Sequence, residues 1–171
     1  MRILVAHASR HGATQVIATV VARVLERAGH AVDVLPVGEV GDLAAYDAVV
    51  VGSALYRRRW LAEATGFVRG NREALAARPV WLFSSGPLGS EAAVAPAELP
   101  ELEQAAAPRG HVVFRGALEV GQLTFRERLL RGLPRARRSL PEGDFRDWDE
   151  VDRWAQAIVR GVGQPNPLPA P

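Results

Sequence analysis

The opening stretch, Met1-Arg2-Ile3-Leu4-Val5-Ala6-His7-Ala8-Ser9-Arg10-His11-Gly12-Ala13-Thr14, decides the fold. An apolar run over 2–7 reads as a strand, and a short polar turn with one glycine follows it. Beyond the turn, Val16, Ile17, Val20, Val21, Val24 and Leu25 recur at helical spacing, and Gly29 stops the helix after Ala28. A second strand over 31–36 completes a right-handed βαβ unit.

Outward from this unit the same rhythm continues to about residue 120. Further strands are expected over 48–52, 79–84 and 111–117, most of them continuous apolar runs such as Ala48-Val49-Val50-Val51. Continuous runs belong to strands buried on both faces, so the reading is an α/β protein with a parallel sheet and helices on both sides. Helices are expected over 61–76, over 96–107 with a weaker pattern, and at the end of the chain. There Val151, Trp154, Ala155, Ile158, Val159 and Val162 form a stripe that Asp147 or Asp149 can cap. Residues 118–146 are long for a connection, which marks them as a functional insertion or a mobile loop. The segment 164–171 holds four prolines in eight residues and is expected to be disordered. One domain over 1–163 follows.

Composition narrows the chemistry. With 171 residues, 48% hydrophobic and 23% charged, the chain has the balance of a soluble globular domain. No apolar run reaches the roughly 20 residues of a membrane-spanning helix, and the chain opens directly into a strand pattern, so cytoplasmic residence is the expectation. There is no cysteine, which excludes disulfides, thiolate-held clusters and cysteine nucleophiles. All 21 basic residues are arginine. The absence of lysine excludes a nucleoside triphosphate P-loop, and Ser9 to Thr14 does not fit G-x-G-x-x-G either.

The turn Ser9, Arg10, His11, Gly12, Ala13, Thr14 sits where a strand ends and a helix begins. Backbone N–H groups and the helix N-terminus converge there on an anion, the hydroxyls of Ser9 and Thr14 add donors, and Gly12 permits close approach. A phosphate monoester suits such a nest. The same residues also read as a helix cap and a simple turn. Two more Gly/Ser-bearing loops follow strands, at the edge where open parallel sheets bind ligands. His7 and His11 flank the turn but lack nearby Asp, Glu or Cys, so no metal site is expected. No local Ser/His/Asp arrangement singles out a hydrolase.

Taken together, Ile3-Leu4-Val5 followed by Ser9-x-x-Gly12-x-Thr14, then Tyr46-Asp47-x-Val49-Val50-Val51-Gly52-Ser53, then Phe83-Ser84-Ser85, resemble the flavodoxin family. Gly116-Ala117-Leu118, a basic insertion and an acidic-capped last helix bearing Trp154 extend the resemblance over about 1–162. Within the family the chain resembles the flavodoxin-type menaquinone-dependent protoporphyrinogen oxidases. The resemblance implies a doubly wound five-stranded sheet of order 2-1-3-4-5 and flavin mononucleotide (FMN) as cofactor. It implies that Ser9 to Thr14 hold the phosphate. Ser53, Ala54, Leu55, Tyr56 and Arg57 would line one side of the isoalloxazine, and Ser85, Gly86, Pro87, Leu88 and Gly89 the other. Tyr56 would stack on the ring and Trp60 cover its edge, or both would be ordinary packing at a loop-to-helix join. The usual flavodoxin Trp/Tyr sandwich and acidic surface are not evident.

Arg57-Arg58-Arg59 follows the second loop and reads either as a solvated charge run or as positive charge near a reduced ring, with Arg57 best placed to hold a substrate carboxylate. In the insertion, six arginines against Glu127 give +5 over 126–138, interleaved with Phe125, Leu129, Leu130 and Leu133. Such an amphipathic basic helix over 125–138 suits an anionic membrane surface, where quinones are reached, an acidic protein or porphyrin propionates. It suits equally a solvated helix packed on the sheet. Nucleic acid fits poorly, because aromatic platforms for bases are missing. Three functions therefore stand open: an oxidoreductase of the protoporphyrinogen oxidase type passing electrons to a quinone, an electron carrier docking to an acidic redox partner, and a flavin-free relative of the fold.

Overall fold

Parallel strands pair in the computed structural model, which describes residues 1–86, 94–118 and 143–164. In chain order the elements are β1 (Arg2–Ala8), α1 (Ala13–Arg27), β2 (Ala31–Pro36), β3 (Ala48–Tyr56), β4 (Arg59–Trp60), α2 (Ala62–Gly70), α3 (Arg72–Ala76), β5 (Val80–Ser85), α4 (Leu99–Ala106), β6 (His111–Phe114), β7 (Ala117–Leu118), β8 (Gly143–Asp144) and α5 (Trp148–Val162). The main sheet runs β2-β1-β3-β5-β6, all parallel. This is the order expected from the sequence, with the short β4 and its hairpin added to the count. Expectations for 87–93, for 119–142 and for the tail 165–171 lie outside the described residues.

The strands divide their side chains between two cores, as period-two alternation dictates. Ile3, Val5, Ala48, Val50, Phe83 and Phe114 meet Ile17, Val21 and Leu25 of α1 and Val151, Ala155 and Ile158 of α5. Leu4, Ala6, Val49, Val51 and Leu82 meet Ala64 and Val68 of α2, Leu75 of α3, and Leu102 and Ala106 of α4. Each such aliphatic side chain contributes about 1.5–3 kcal/mol on burial. Phe83, Phe114 and Trp154 form an aromatic triangle with ring centroids 5.5–6.0 Å apart. The Phe83 ring leans across Gly52, where a Cβ would stand 2.0 Å from Phe83 Cζ. Only glycine fits that strand position.

Three boundaries differ from expectation, each for a local reason. The helix expected over 61–76 is two helices, broken at Asn71, which follows Gly70 and caps α3. β3 runs four residues beyond 52 because Leu55 and Tyr56 pair with Trp60 and Arg59 in an antiparallel hairpin. The strand expected over 111–117 ends at Phe114, and Ala117–Leu118 pairs instead with Gly143–Asp144. At α5 the cap is Asp147, whose carboxylate accepts the Glu150 N–H at 3.0 Å.

Candidate functional site

The carboxyl ends of β1, β3 and β5 lie side by side, with His7 beside Gly52 and Ser53 beside Ser84. The loops that leave them therefore share one edge of the sheet. The first loop, 9–12, turns into α1 through Gly12, which holds φ 76° and ψ −20°. That left-handed conformation favours glycine. Gly12 C=O accepts the Val16 N–H at 3.1 Å and so starts the helix. No side chain caps this end, and α1 carries no acidic residue in its first turn. α2, α3, α4 and α5 all carry one or two there. The N–H groups of the first turn of α1 have no intrahelical acceptor, so its positive dipole end is left uncompensated.

Thr14, the second residue of α1, is fully buried, and its Oγ1 has no hydrogen-bond partner among the described residues. A buried hydroxyl without a partner costs about 1–3 kcal/mol, and structures rarely keep one without a reason. An anion seated on the helix N-terminus would supply the missing acceptor. The loop therefore fits an anion: it has a glycine turn, uncapped amides, a buried hydroxyl and no acidic residue in the first turn of α1. The phosphate of FMN suits this donor set.

His7 precedes the loop and is 5% exposed, with Nδ1 buried and unpartnered. Burial pushes its pKa below the usual value, against the nearby carboxylates of Glu39 and Glu63. His11 and Arg10 both meet Tyr56 of the second loop. The His11 ring lies edge-on at 6.3 Å between centroids, and the Arg10 guanidinium stacks on the phenol ring at 4.8 Å. Tyr56 thus joins the phosphate turn to the β3–β4 hairpin.

That hairpin turns through Arg57 at φ 50° and Arg58 at φ 61°. Positive φ at both central residues is the geometry of a type I′ turn, which normally uses Asn-Gly or Gly-Gly. Two arginines in this conformation cost about 1–2 kcal/mol each. Behind the turn, Ser53 is fully buried, and its hydroxyl accepts the Leu61 N–H at 3.0 Å while donating to Ala54 C=O. Ser53 therefore spends its side chain on fixing the start of α2, and any contact with a ligand falls to the backbone. Trp60 is 4% exposed and donates from Nε1 to Ser84 Oγ at 2.8 Å. It is packed inside at the loop-to-helix join, not laid over an exposed edge.

From the third loop, Ser85 is buried and Gly86 takes φ 109°, its N–H bonded to Phe114 C=O. A Cβ on Gly86 would lie 3.6 Å from Leu55 C=O, so the second and third loops are in close approach. Pro87, Leu88 and Gly89 lie outside the described residues. Ser84 links this loop inward: its Oγ lies 2.8 Å from His111 Nε2. Ser84 Oγ also accepts from Trp60 Nε1, so one hydroxyl joins the indole and the imidazole. Burial lowers the His111 pKa to about 4 and keeps the ring neutral. Sequence reading missed this Trp60–Ser84–His111 chain, because three residues 24 and 27 positions apart give no local pattern.

The hairpin is also tied to the segment before α4. Arg58 C=O accepts the Ala97 N–H at 2.9 Å, and Arg59 pairs with Glu98 at 2.8 Å. The hairpin is in this way fastened to the segment that leads into α4.

A doubly wound parallel sheet with a glycine turn and an uncapped helix N-terminus after its first strand defines an α/β domain of the flavodoxin-like class. Comparison with known families narrows the class: over residues 4–134 the chain matches the flavodoxin domain, and it belongs to that family. No curated protein matches it. Among solved structures it is similar to a flavodoxin from the domain Archaea, at 16% identity and a TM-score of 0.63, covering 96% of this chain and all of that one. Flavodoxin 1 from Bacillus cereus matches at 13% identity and a TM-score of 0.61, over 95% of this chain and all of its own. Rubredoxin oxygen:oxidoreductase from Desulfovibrio gigas matches at 14% identity and a TM-score of 0.61, over 94% of this chain and 36% of that larger one. At these identities the likeness carries the fold. Among the described residues no helix is long and apolar enough to cross a membrane.

Proposed function

We propose that this flavodoxin-family domain binds FMN and works in electron transfer, as an oxidoreductase of the protoporphyrinogen oxidase type that passes electrons to a quinone. The observation that carries the cofactor reading is the buried, partnerless hydroxyl of Thr14 at the uncapped N-terminus of α1. The backbone N–H groups of Ser9, Arg10, His11, Gly12, Ala13 and Thr14, with the Thr14 hydroxyl, would hold the phosphate. The backbone of Ser53 to Arg57, with Ser85 and Gly86, would line the flavin ring. When bound, FMN supplies acceptance of one or two electrons and of a hydride equivalent at its ring.

The chain's own residues do the positioning. Gly12 opens the turn so that amides reach the phosphate, Tyr56 is held at its edge by Arg10, and the Arg59–Glu98 pair fixes one wall. The enzyme reading rests on the Arg-bearing loop edge, which suits anionic substrate groups, and on the sequence resemblance. The same edge suits a second role, a carrier without substrate of its own, since the family's fold serves both.

The test begins with the apoprotein and FMN. Purified protein titrated with FMN is expected to retain a yellow chromophore absorbing near ~450 nm, as oxidised flavins do. Gly12→Asp, which adds Cβ strain and an anion at the cradle, is expected to abolish retention. Equal retention by both proteins refutes the cradle. Anaerobic reduction followed by a menaquinone analogue, with and without protoporphyrinogen, separates oxidase from carrier. Substrate-dependent quinone reduction is the oxidase result.

A further inference from the structure

Beside the cradle lie three arginines that form no ion pair with a described carboxylate. Arg10, Arg57 and Arg58 are all exposed. Arg59, next in the chain, differs in having Glu98. The Arg10 guanidinium is flat on Tyr56 at 4.8 Å. Stacking restrains the side chain while Arg10 stays exposed, and a guanidinium so held can engage a carboxylate bidentately.

Arg57 and Arg58 are held at the tip of a tight hairpin by a conformation that disfavours them. An Asn-Gly pair would make the same turn at little cost. The Arg58 backbone is used by Ala97, while the Arg57 and Arg58 side chains are exposed, and strain retained under exposed side chains points to what those side chains do in solution. What they share with Arg10 is positive charge presented on two loops that meet at Tyr56. A point ligand is gripped by an enclosing pocket, whereas charge spread over two loops complements a field of opposite charge on another macromolecule.

We propose that Arg10, Arg57 and Arg58 form a docking face for an acidic patch on a protein partner. The position of this face gives it a redox meaning, a part of the proposal that rests on the FMN reading: a partner seated there lies against the rim of the cofactor niche. The docking itself depends only on the arginines.

The probe is a twenty-residue polyglutamate peptide, added to the full-length protein with and without FMN. Binding is expected at low salt and is expected to weaken steeply as ionic strength rises. The variant Arg10→Gln with Arg57→Asn and Arg58→Gly is expected to bind about tenfold more weakly or worse. Arg57→Lys with Arg58→Lys, which keeps the charge, is expected to bind within about threefold of wild type. Melting of the Arg57→Asn, Arg58→Gly protein checks folding and is expected to occur at or above the wild-type temperature. Three results overturn the proposal: unchanged polyglutamate affinity in the charge-removed variant, loss of affinity only when Arg126, Arg128 and Arg131 are replaced by Gln, and equal competition by citrate at matched carboxylate concentration, which marks a small-molecule site. Wild-type protein that binds polyglutamate at these arginines but takes up no FMN leaves the docking face standing and removes the cofactor reading.

Discussion

Replacing Thr14 by valine is expected to move two quantities in opposite directions. Valine matches threonine in shape, and Thr14 is fully buried with Oγ1 unpartnered, so the substitution exchanges a desolvated hydroxyl for a methyl without opening a cavity. The unfilled hydroxyl costs about 1–3 kcal/mol in the empty protein, and removing it should stabilise that form by this amount. For a chain of this size the gain corresponds to a rise in melting temperature of about 3–9 °C. In the FMN complex the same hydroxyl would donate to an ionised phosphate, a bond of about 1.5–3 kcal/mol, and its loss weakens FMN about tenfold to 150-fold. Thermal unfolding by circular dichroism reads the first quantity, and quenching of flavin fluorescence on titration reads the second. Riboflavin, which lacks the phosphate, serves as control, and its affinity should be indifferent to the substitution. A lower melting temperature for the empty Thr14→Val protein would show that the hydroxyl already has a partner. Undiminished FMN affinity would show that no phosphate sits there.

Other perturbations probe the frame that carries the site. Gly52→Ala puts a Cβ 2.0 Å from Phe83 Cζ, whose ring is locked between Phe114 and Trp154, so a loss of about 3 kcal/mol is expected in denaturant unfolding. The further change Phe83→Leu should recover part of it. Asp147→Ala removes the cap on α5 and should cost about 1 kcal/mol in the same assay. His111, with its pKa lowered to about 4 against 6.5 unfolded, is neutral in the native protein while the unfolded chain binds a proton between those values. Its contribution is therefore fully present above pH 6.5 and is lost as pH falls toward 4. His111→Gln should flatten the melting temperature across that window, leaving the slope of the same sign that buried His7 contributes.

Much of the architecture could be read from residues 1–86 because the signals there are local and redundant. Continuous runs such as Ala48 to Val51 belong to doubly covered strands, and the stripe of α1 is unbroken from Ile17 to Leu25. The glycine turn after β1 was legible for the same reason, since Gly12 and Thr14 lie four and six residues past Ala8, where the strand ends. What escaped was either non-local or disguised. The hairpin at 57–58 carries none of the glycine or asparagine that usually announces a type I′ turn, so strand β3 was cut short at 52. The break at Asn71 had a cue in Gly70, but the apolar pattern on both sides concealed it. The resemblance implies that Ser53 lines a ligand, and for Trp60 the sequence leaves covering a ligand and ordinary packing both open; their polar atoms bond to Leu61 and Ser84, partners that the fold brings near.

The bonds from Arg58 to Ala97 and from Arg59 to Glu98 make the hairpin and the approach to α4 mechanically one part. Grafting a longer hairpin onto β3, or trimming this one, would drag the start of α4 along with it. Recombination between relatives should therefore tolerate crossovers that keep both segments from one parent and reject those that split them.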